Sequence, residues 1–212
     1  TLSAAQEALL DTPSSPGPGD GATVLAYLRG DSFGASNGTT VNASYRARNH
    51  LLGDIVNAEP VVVREPQFTY GDTGYAAFKT AQANRTAVVF QGANDGMLHA
   101  FDAATGAEDW AYIPGLLLGS LNNLSRKSGF VHKYYVDSTP TIGDVDFNKT
   151  QGASGTADWH TVLVGGLGKG GRGYYALDVT TPTATDEANA ATKVLWEFPN
   201  SATNSISVTL TS

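Results

Sequence analysis

The fold class predicted by the sequence is all-β, on three observations. Glycine supplies 24 of 212 residues while charged groups make up only 16%, a balance that suits many short strands separated by many turns. Short β-branched and aromatic runs such as Val88-Val89-Phe90 and Val162-Leu163-Val164 recur between Gly-rich breaks, the signature of strands bounded by turns. Four short words also return later in the chain in the same order, as they do in repeat architectures.

The chain opens with helical text. Ser3 followed by Gln6 forms a capping box ahead of Leu2, Ala5 and Leu9 on one face, so residues 1–10 predict a short helix. Asp11 to Gly21 is rich in Pro, Gly and Ser and predicts a linker. Ala22 to Leu28 predicts a second short helix capped by Asp20, with Val24, Leu25 and Leu28 as its apolar stripe. Asp31 to Ser44 reads as a polar loop.

From Tyr45 the texture turns to strands. Ile55-Val56 and Val61 to Val63 flank Pro60, which belongs at an edge, a strand start or a bulge. Gln67 to Arg85 reads as a long polar insertion. Val88 to Trp110 then predicts a three-stranded meander, with Asn94-Asp95-Gly96 as a hairpin turn and Ala104-Thr105-Gly106 as the next. Leu116 to Leu124 predicts a short helix packed on the sheet, and Tyr134-Tyr135-Val136 predicts a return to strand.

The recurring words define the unit. Asn57 to Val62 resembles Asp137 to Ile142, Val88 to Gly92 resembles Val162 to Gly166, His99 to Ala103 resembles Tyr175 to Val179, and Trp110 to Pro114 resembles Trp196 to Pro199. The offsets run from about 74 to about 86 residues, as loops of unequal length require. Each unit is four antiparallel strands, which makes it a β-propeller blade. Ala100, Asp102, Thr105, Gly106 and Trp110 further fit the pattern A-x-D-x-x-T-G-x-x-x-W, which resembles the tryptophan-docking motif of quinoprotein-type propellers. The second copy keeps Ala176, Asp178 and Trp196 but carries the loop Thr181 to Thr192 in place of the Thr-Gly turn. The predicted organisation is a short helical and loop lead-in over 1–44 and a partial propeller of about two blades over 45–212. Closed propellers take four or more blades, so the chain is expected to belong to a larger protein.

Composition excludes several functions. A net charge of −7 and a pI near 4.9 repel nucleic acid over most of the surface. Without cysteine there are no disulfides, zinc thiolates or thiol nucleophiles. No run of about 18 apolar residues is present. The first residues lack the basic and apolar blocks of a signal peptide and begin at Thr1, so processing or truncation is expected, with any export signal upstream.

The motifs that suggest chemistry have plainer readings. Gly166 to Gly171 matches G-x-G-x-x-G, but the strand text Gly173 to Val179 follows it rather than a helix, so no helix N-terminus awaits a pyrophosphate. Asp144, Asp146 and Asn148 place three oxygen side chains at alternate positions, as calcium loops do. They are the metal candidate, although Lys149 stands where such a loop needs Gly and Gly155 where it needs Glu. A turn with solvated carboxylates is the favoured reading. His50, His99, His132 and His160 have no metal-site spacing and read as surface or loop residues. Gly152 to Thr156 falls short of a nucleophile elbow. Asn37, Asn42, Asn84, Asn123 and Asn148 begin glycosylation sequons of the kind that Ser/Thr-rich loops produce by chance. No catalytic constellation is found, and the protein is not expected to be an enzyme.

Longer words carry a resemblance. Tyr45 to Arg48, Leu52 to Val56, Asn94 to Asp102, Ala111 to Pro114, Val136 to Pro140 and Val162 to Asp178, with Tyr27 to Asp31 ahead of them, together resemble the C-terminal propeller of the PilY/PilC family of type IV pilus biogenesis factors and tip adhesins. The resemblance implies an exported protein of the bacterial cell surface, outer membrane or pilus tip. Its implied roles are supporting pilus assembly, twitching motility and adhesion. Its implied partners are minor pilins, the rest of its own propeller, and host or abiotic surfaces. It implies no cofactor in this stretch and leaves calcium to an Asp-rich loop of a later blade in the full-length protein. Two rivals share the blade pattern: a quinoprotein dehydrogenase using pyrroloquinoline quinone, which needs an axial quinone or calcium pocket, and an outer-membrane assembly scaffold.

Overall fold

The computed structural model describes residues 2–13, 19–30, 45–149 and 156–199. The predicted loop at 31–44, the elbow-like residues 152–155 and the tail from 200 onward lie outside the described residues, as do Asn37 and Asn42.

Two four-stranded antiparallel sheets carry the fold. The first is a meander of β1 (Val61–Val63), β2 (Val88–Gly92), β3 (Leu98–Asp102) and β4 (Glu108–Tyr112); the second repeats it with β5 (Thr141–Asp146), β6 (Trp159–Gly166), β7 (Tyr174–Asp178) and β8 (Val194–Phe198). Phe90 faces Ala100 and Ala100 faces Trp110 in the first sheet, as Val164 faces Ala176 and Ala176 faces Trp196 in the second. The ladder slips after Ala100 in one sheet and after Ala176 in the other. A shared slip at matching residues makes the two sheets copies of one unit, and a bulge there adds local twist. The sequence repeat is therefore a structural repeat of two blades.

Local chemistry explains the turns. In the β2–β3 hairpin the Ala93 amide donates to Met97 O and the Gly96 amide to Ala93 O. Only Gly96 takes a positive φ, 93°, so Asn94 and Asp95 serve through their side chains and not through left-handed backbone. The G-x-G-x-x-G stretch is a 3₁₀ turn, Gly168–Gly170, between β6 and β7, with no helix for a nucleotide. Within it Gly168 takes a positive φ, 58°, and Gly170 is needed for packing, since a Cβ there would lie 1.8 Å from Tyr135 O.

Five α-helices surround the sheets among the described residues. α1 (Ala4–Leu10) starts on the predicted Ser3/Gln6 capping box, and α2 (Gly21–Leu28) follows Asp20. The Asp20 carboxylate does not cap α2; it accepts from the Thr12 amide, the Thr12 hydroxyl and the Tyr45 hydroxyl. α3 (Tyr75–Ala81) lies inside the predicted polar insertion. α4 (Leu118–Ser125), entered through a 3₁₀ turn at Gly115–Leu117, is the predicted leucine-rich helix. α5 (Glu187–Ala191) sits in the β7–β8 connection.

The lead-in helices α1 and α2 pack on α4. Leu10, Val24 and Tyr27 belong to the same buried cluster as Phe90, Leu98, Leu121, Leu163 and Leu177, so helices and both blades share one core. Two strand expectations fail. Ile55 and Val56 are irregular and exposed, and Tyr134-Tyr135-Val136 forms no strand although Tyr135 and Val136 are buried. The Tyr135 amide donates instead to Asn94 Oδ1, so the backbone finds a side-chain partner where a ladder was expected.

Candidate functional site

The motif residues converge on the junction between the blades. Asp102 Oδ1 accepts from the amides of Ala104 and Thr105 and from the Thr105 hydroxyl, which fixes the turn and holds the carboxyl below its usual range. The turn presents β4, from which Trp110 crosses to the second blade. Its Nε1 donates to Pro182 O at 2.8 Å, in the β7–β8 connection, while its ring meets Phe90 edge-on. Beside it the Ala184 amide donates to Asp109 Oδ2. Deeper in the junction, the Tyr112 hydroxyl and the Gly115 amide both donate to Glu197 Oε1 of β8. Burial and the adjacent Glu197 carboxylate together hold the Tyr112 phenol far above its ordinary pKa.

The blades also meet at their first strands, through equivalent residues of the repeat. Asn57 donates through its amide and its Nδ2 to Asp137, and the Glu59 amide donates to Thr139 Oγ1. These bonds tie the two blades together at the partly exposed edge of the junction. In the second blade Trp196 holds the position of Trp110 but is only half-buried, and the nearby strand residues Tyr174 and Phe198 are exposed.

The structure gives the candidate metal ligands other work. Asp144 is buried, not solvated: Oδ2 accepts from the Tyr75 hydroxyl of α3 and Oδ1 from the Thr161 hydroxyl, each at 2.6 Å. Arg85 Nη1 donates to Thr161 in turn, so the insertion is tied to the second blade. Asp146 Oδ1 accepts from the amides of Asn148 and Asp158, and Asn148 Nδ2 donates to Thr156 O, closing the β5–β6 turn. Among the described residues no three His, Cys, Asp or Glu side chains are placed to hold a metal ion. These side chains form a polar clasp, and the later positions of the candidate calcium loop, 150–155, lie outside the described residues. Asp144→Ala is expected to cost about 1–3 kcal/mol by leaving the buried Tyr75 and Thr161 hydroxyls unpaired. Urea unfolding with and without added calcium checks this, and a loss confined to the calcium samples would restore the ion.

His50 and His132 are exposed loop residues, as expected, whereas His99 and His160 lie on strands. His99 is buried on β3, with Nδ1 at 2.7 Å from Glu108 and Nε2 at 3.1 Å from Asp95. Burial disfavours its charge, but the bonds to both carboxylates outweigh burial and raise its pKa to about 9. His132 meets Asp54, and His160 meets Asp178 and Asp158. The Asp95-x-x-x-His99 spacing across the hairpin was the available sequence signal. Asn123 of the sequon at 123–125 is buried and donates to Val131 O and to the Tyr135 hydroxyl, so it presents no acceptor for a glycan.

The sequence model of the family described as the PilY1 beta-propeller domain matches residues 52–207. The chain belongs to the PilY1 β-propeller family. It is 43% identical over 176 residues to "Type IV pilus biogenesis factor PilY1" of Pseudomonas aeruginosa (strain UCBPP-PA14), a match covering 78% of this chain and 14% of that protein. A PilY1 homolog of Xylella fastidiosa (strain Temecula1 / ATCC 700964) is 43% identical over 167 residues, covering 75% of this chain and 13% of that protein. The chain thus spans about one-seventh of the curated PilY1 proteins it matches. The crystal structure of the Pseudomonas aeruginosa PilY1 C-terminal domain aligns with 37% identity and a TM-score of 0.44, over 64% of this chain and 24% of that one. Membership in the PilY1 family places the blades and the Trp110 junction in a β-propeller domain.

Proposed function

We propose that this chain acts in type IV pilus biogenesis as part of a non-catalytic β-propeller at the bacterial surface. On this reading its blade faces join the rest of the propeller, and its loops engage minor pilins and host or abiotic surfaces, supporting twitching motility and adhesion. The observation that carries the reading is the Trp110 junction in a PilY1-family sequence: Trp110 and Glu197 hold the blades together, with Asp102 fixing the turn ahead of Trp110, which leaves the unequal insertions, such as 67–85 and 116–133, to make contacts. Helix α4 and the buried Tyr135 anchor the second of these insertions to the core, so it would present its outer loop on a rigid base.

Complementation tests the proposal. In a strain that lacks the full-length protein, supplying the wild type is expected to restore surface pilin recovered by shearing, whereas a version without residues 61–198 is expected to restore little. Full piliation with that deletion would sink the proposal. Dye reduction that depends on added alcohol and quinone would sink the non-catalytic part alone.

A further inference from the structure

Two stretches that are distant in sequence form a basic strip on this acidic chain. Residues 45–53 contribute Arg46 and Arg48, residues 124–133 contribute Arg126, Lys127 and Lys133, and neither stretch contains an acid. Five of the chain's 13 Lys and Arg residues therefore lie in two short segments of a molecule whose net charge is −7. The antiparallel bridge between Tyr45 and Arg126, with the Arg46 amide donating to Ser125 O, lays them side by side. Between them opens a cleft of about 400 Å³ lined by Arg46, Arg48, His50, Phe130, His132 and Lys133, with Asp54 and Asp95 also in its lining.

The acids in the cleft are already matched. Asp95 accepts from the Gly53 amide and pairs with His99; Asp54 accepts from Asn94 Nδ2 and pairs with His132. The arginines have no carboxylate of their own among the described residues. Arg46 donates Nε to Leu124 O and lies 4.0 Å over the Phe130 ring, and Arg48 donates to Tyr27 O and lies 4.2 Å over the Tyr27 ring. Arg48 Nε is buried with no partner among the described residues. Burial presses the Arg48 guanidinium below its ordinary range; Tyr27 and Asp95 oppose that, while Arg46 beside it pushes the same way. Stacking on aromatic faces fixes both guanidinium planes, and planar forks in fixed positions suit bidentate carboxylates.

The rim narrows the chemistry of the ligand. Leu51 and Leu52 are each 43% exposed at the cleft mouth, and Val131 beside Phe130 is 62% exposed. Exposed apolar groups beside cations match a peptide that carries both acidic and apolar side chains. A long polyanion would meet the acid-rich remainder of the surface. We propose that this cleft is a docking site for a short acidic peptide segment of a partner protein, with its carboxylates on Arg46, Arg48 and Lys133 and its apolar side chains on Leu51 and Leu52. The site stands on the cleft alone and does not depend on a pilus role.

Fluorescence anisotropy with the intact protein tests it, using a labelled peptide of alternating Glu and Leu and a Lys/Leu counterpart. The Glu/Leu peptide is expected to bind, less tightly as salt rises. Lys133→Glu, a change at an exposed side chain, is expected to weaken binding about tenfold or more, and Arg48→Gln likewise. Arg64→Glu, at an exposed side chain just after β1 and at the end of the first blade away from the β2–β3 hairpin, is expected to leave it unchanged. The proposal is overturned if the wild type does not bind the Glu/Leu peptide, if the Lys/Leu peptide binds equally well, or if Arg64→Glu costs as much as Lys133→Glu. Phosphatidylglycerol vesicles that bind where the peptide does not, in a manner abolished by Lys133→Glu, would also overturn it by assigning the cleft to a membrane.

Discussion

Replacing Trp110 by Ala is expected to destabilise the protein by about 3–5 kcal/mol, the range for removing a large buried aromatic side chain. Three losses combine. The ring is 9% exposed and packs edge-on against Phe90, so its removal opens a cavity between the blades. Its Nε1 bond to Pro182 O disappears, leaving a carbonyl in the junction without that donor. The second blade also loses the contact that positions the β7–β8 connection. Trp110→Phe should recover most of the packing and forfeit the hydrogen bond, for a smaller cost of about 1–2 kcal/mol. Trp196→Ala is expected to cost less than Trp110→Ala, because Trp196 is half-buried. Urea midpoints for the three variants decide the matter. Equal losses at Trp110 and Trp196 would show that the junction does not depend on docking.

Stability should fall as the solution is made alkaline. His99 has a pKa of about 9 in the folded protein against an ordinary value of 6.5, so folding favours its charged form. Such a group contributes fully below about pH 6.5, and its contribution is lost as pH rises through about 9. The shift corresponds to a ceiling of about 3 kcal/mol. A value nearer 2 kcal/mol is expected, because the Glu108 partner is 48% exposed and therefore screened by water. His99→Gln keeps much of the shape and has no charge to lose, so its urea midpoint should change less between about pH 6 and about pH 9.5. Parallel slopes for the wild type and the variant would remove His99 as the source.

The sequence showed the blades because their pattern is local. Period-two runs, turn residues at fixed offsets and the Trp spacing all lie within one unit, and the second unit repeats them. The polar clasps were hidden because their partners are distant in the chain. Tyr75 reads as one aromatic residue in a polar insertion, and only the fold brings its hydroxyl to Asp144, 69 positions away. The same distance hid α3, whose Tyr75 and Phe78 lie three apart on one face and are buried, but whose flanking text is polar. Asp144, Asp146 and Asn148 showed the alternation of a calcium loop without its glycine and its final acid. In the structure they answer to hydroxyls and amides, which impose the same need for oxygen on the sequence. His99 looked like a surface residue because its two acids lie on either side of it across two turns.

The bond between Trp110 and Pro182 also has a direction in time. The donor lies 72 residues before its acceptor, so during synthesis the indole emerges well before its dock exists. The first blade must pass through a stage in which a large aromatic side chain lies on an open face, when misassembly with another chain is easiest. A binder of nascent chains would find its handle there, and the arrival of the β7–β8 connection would release it.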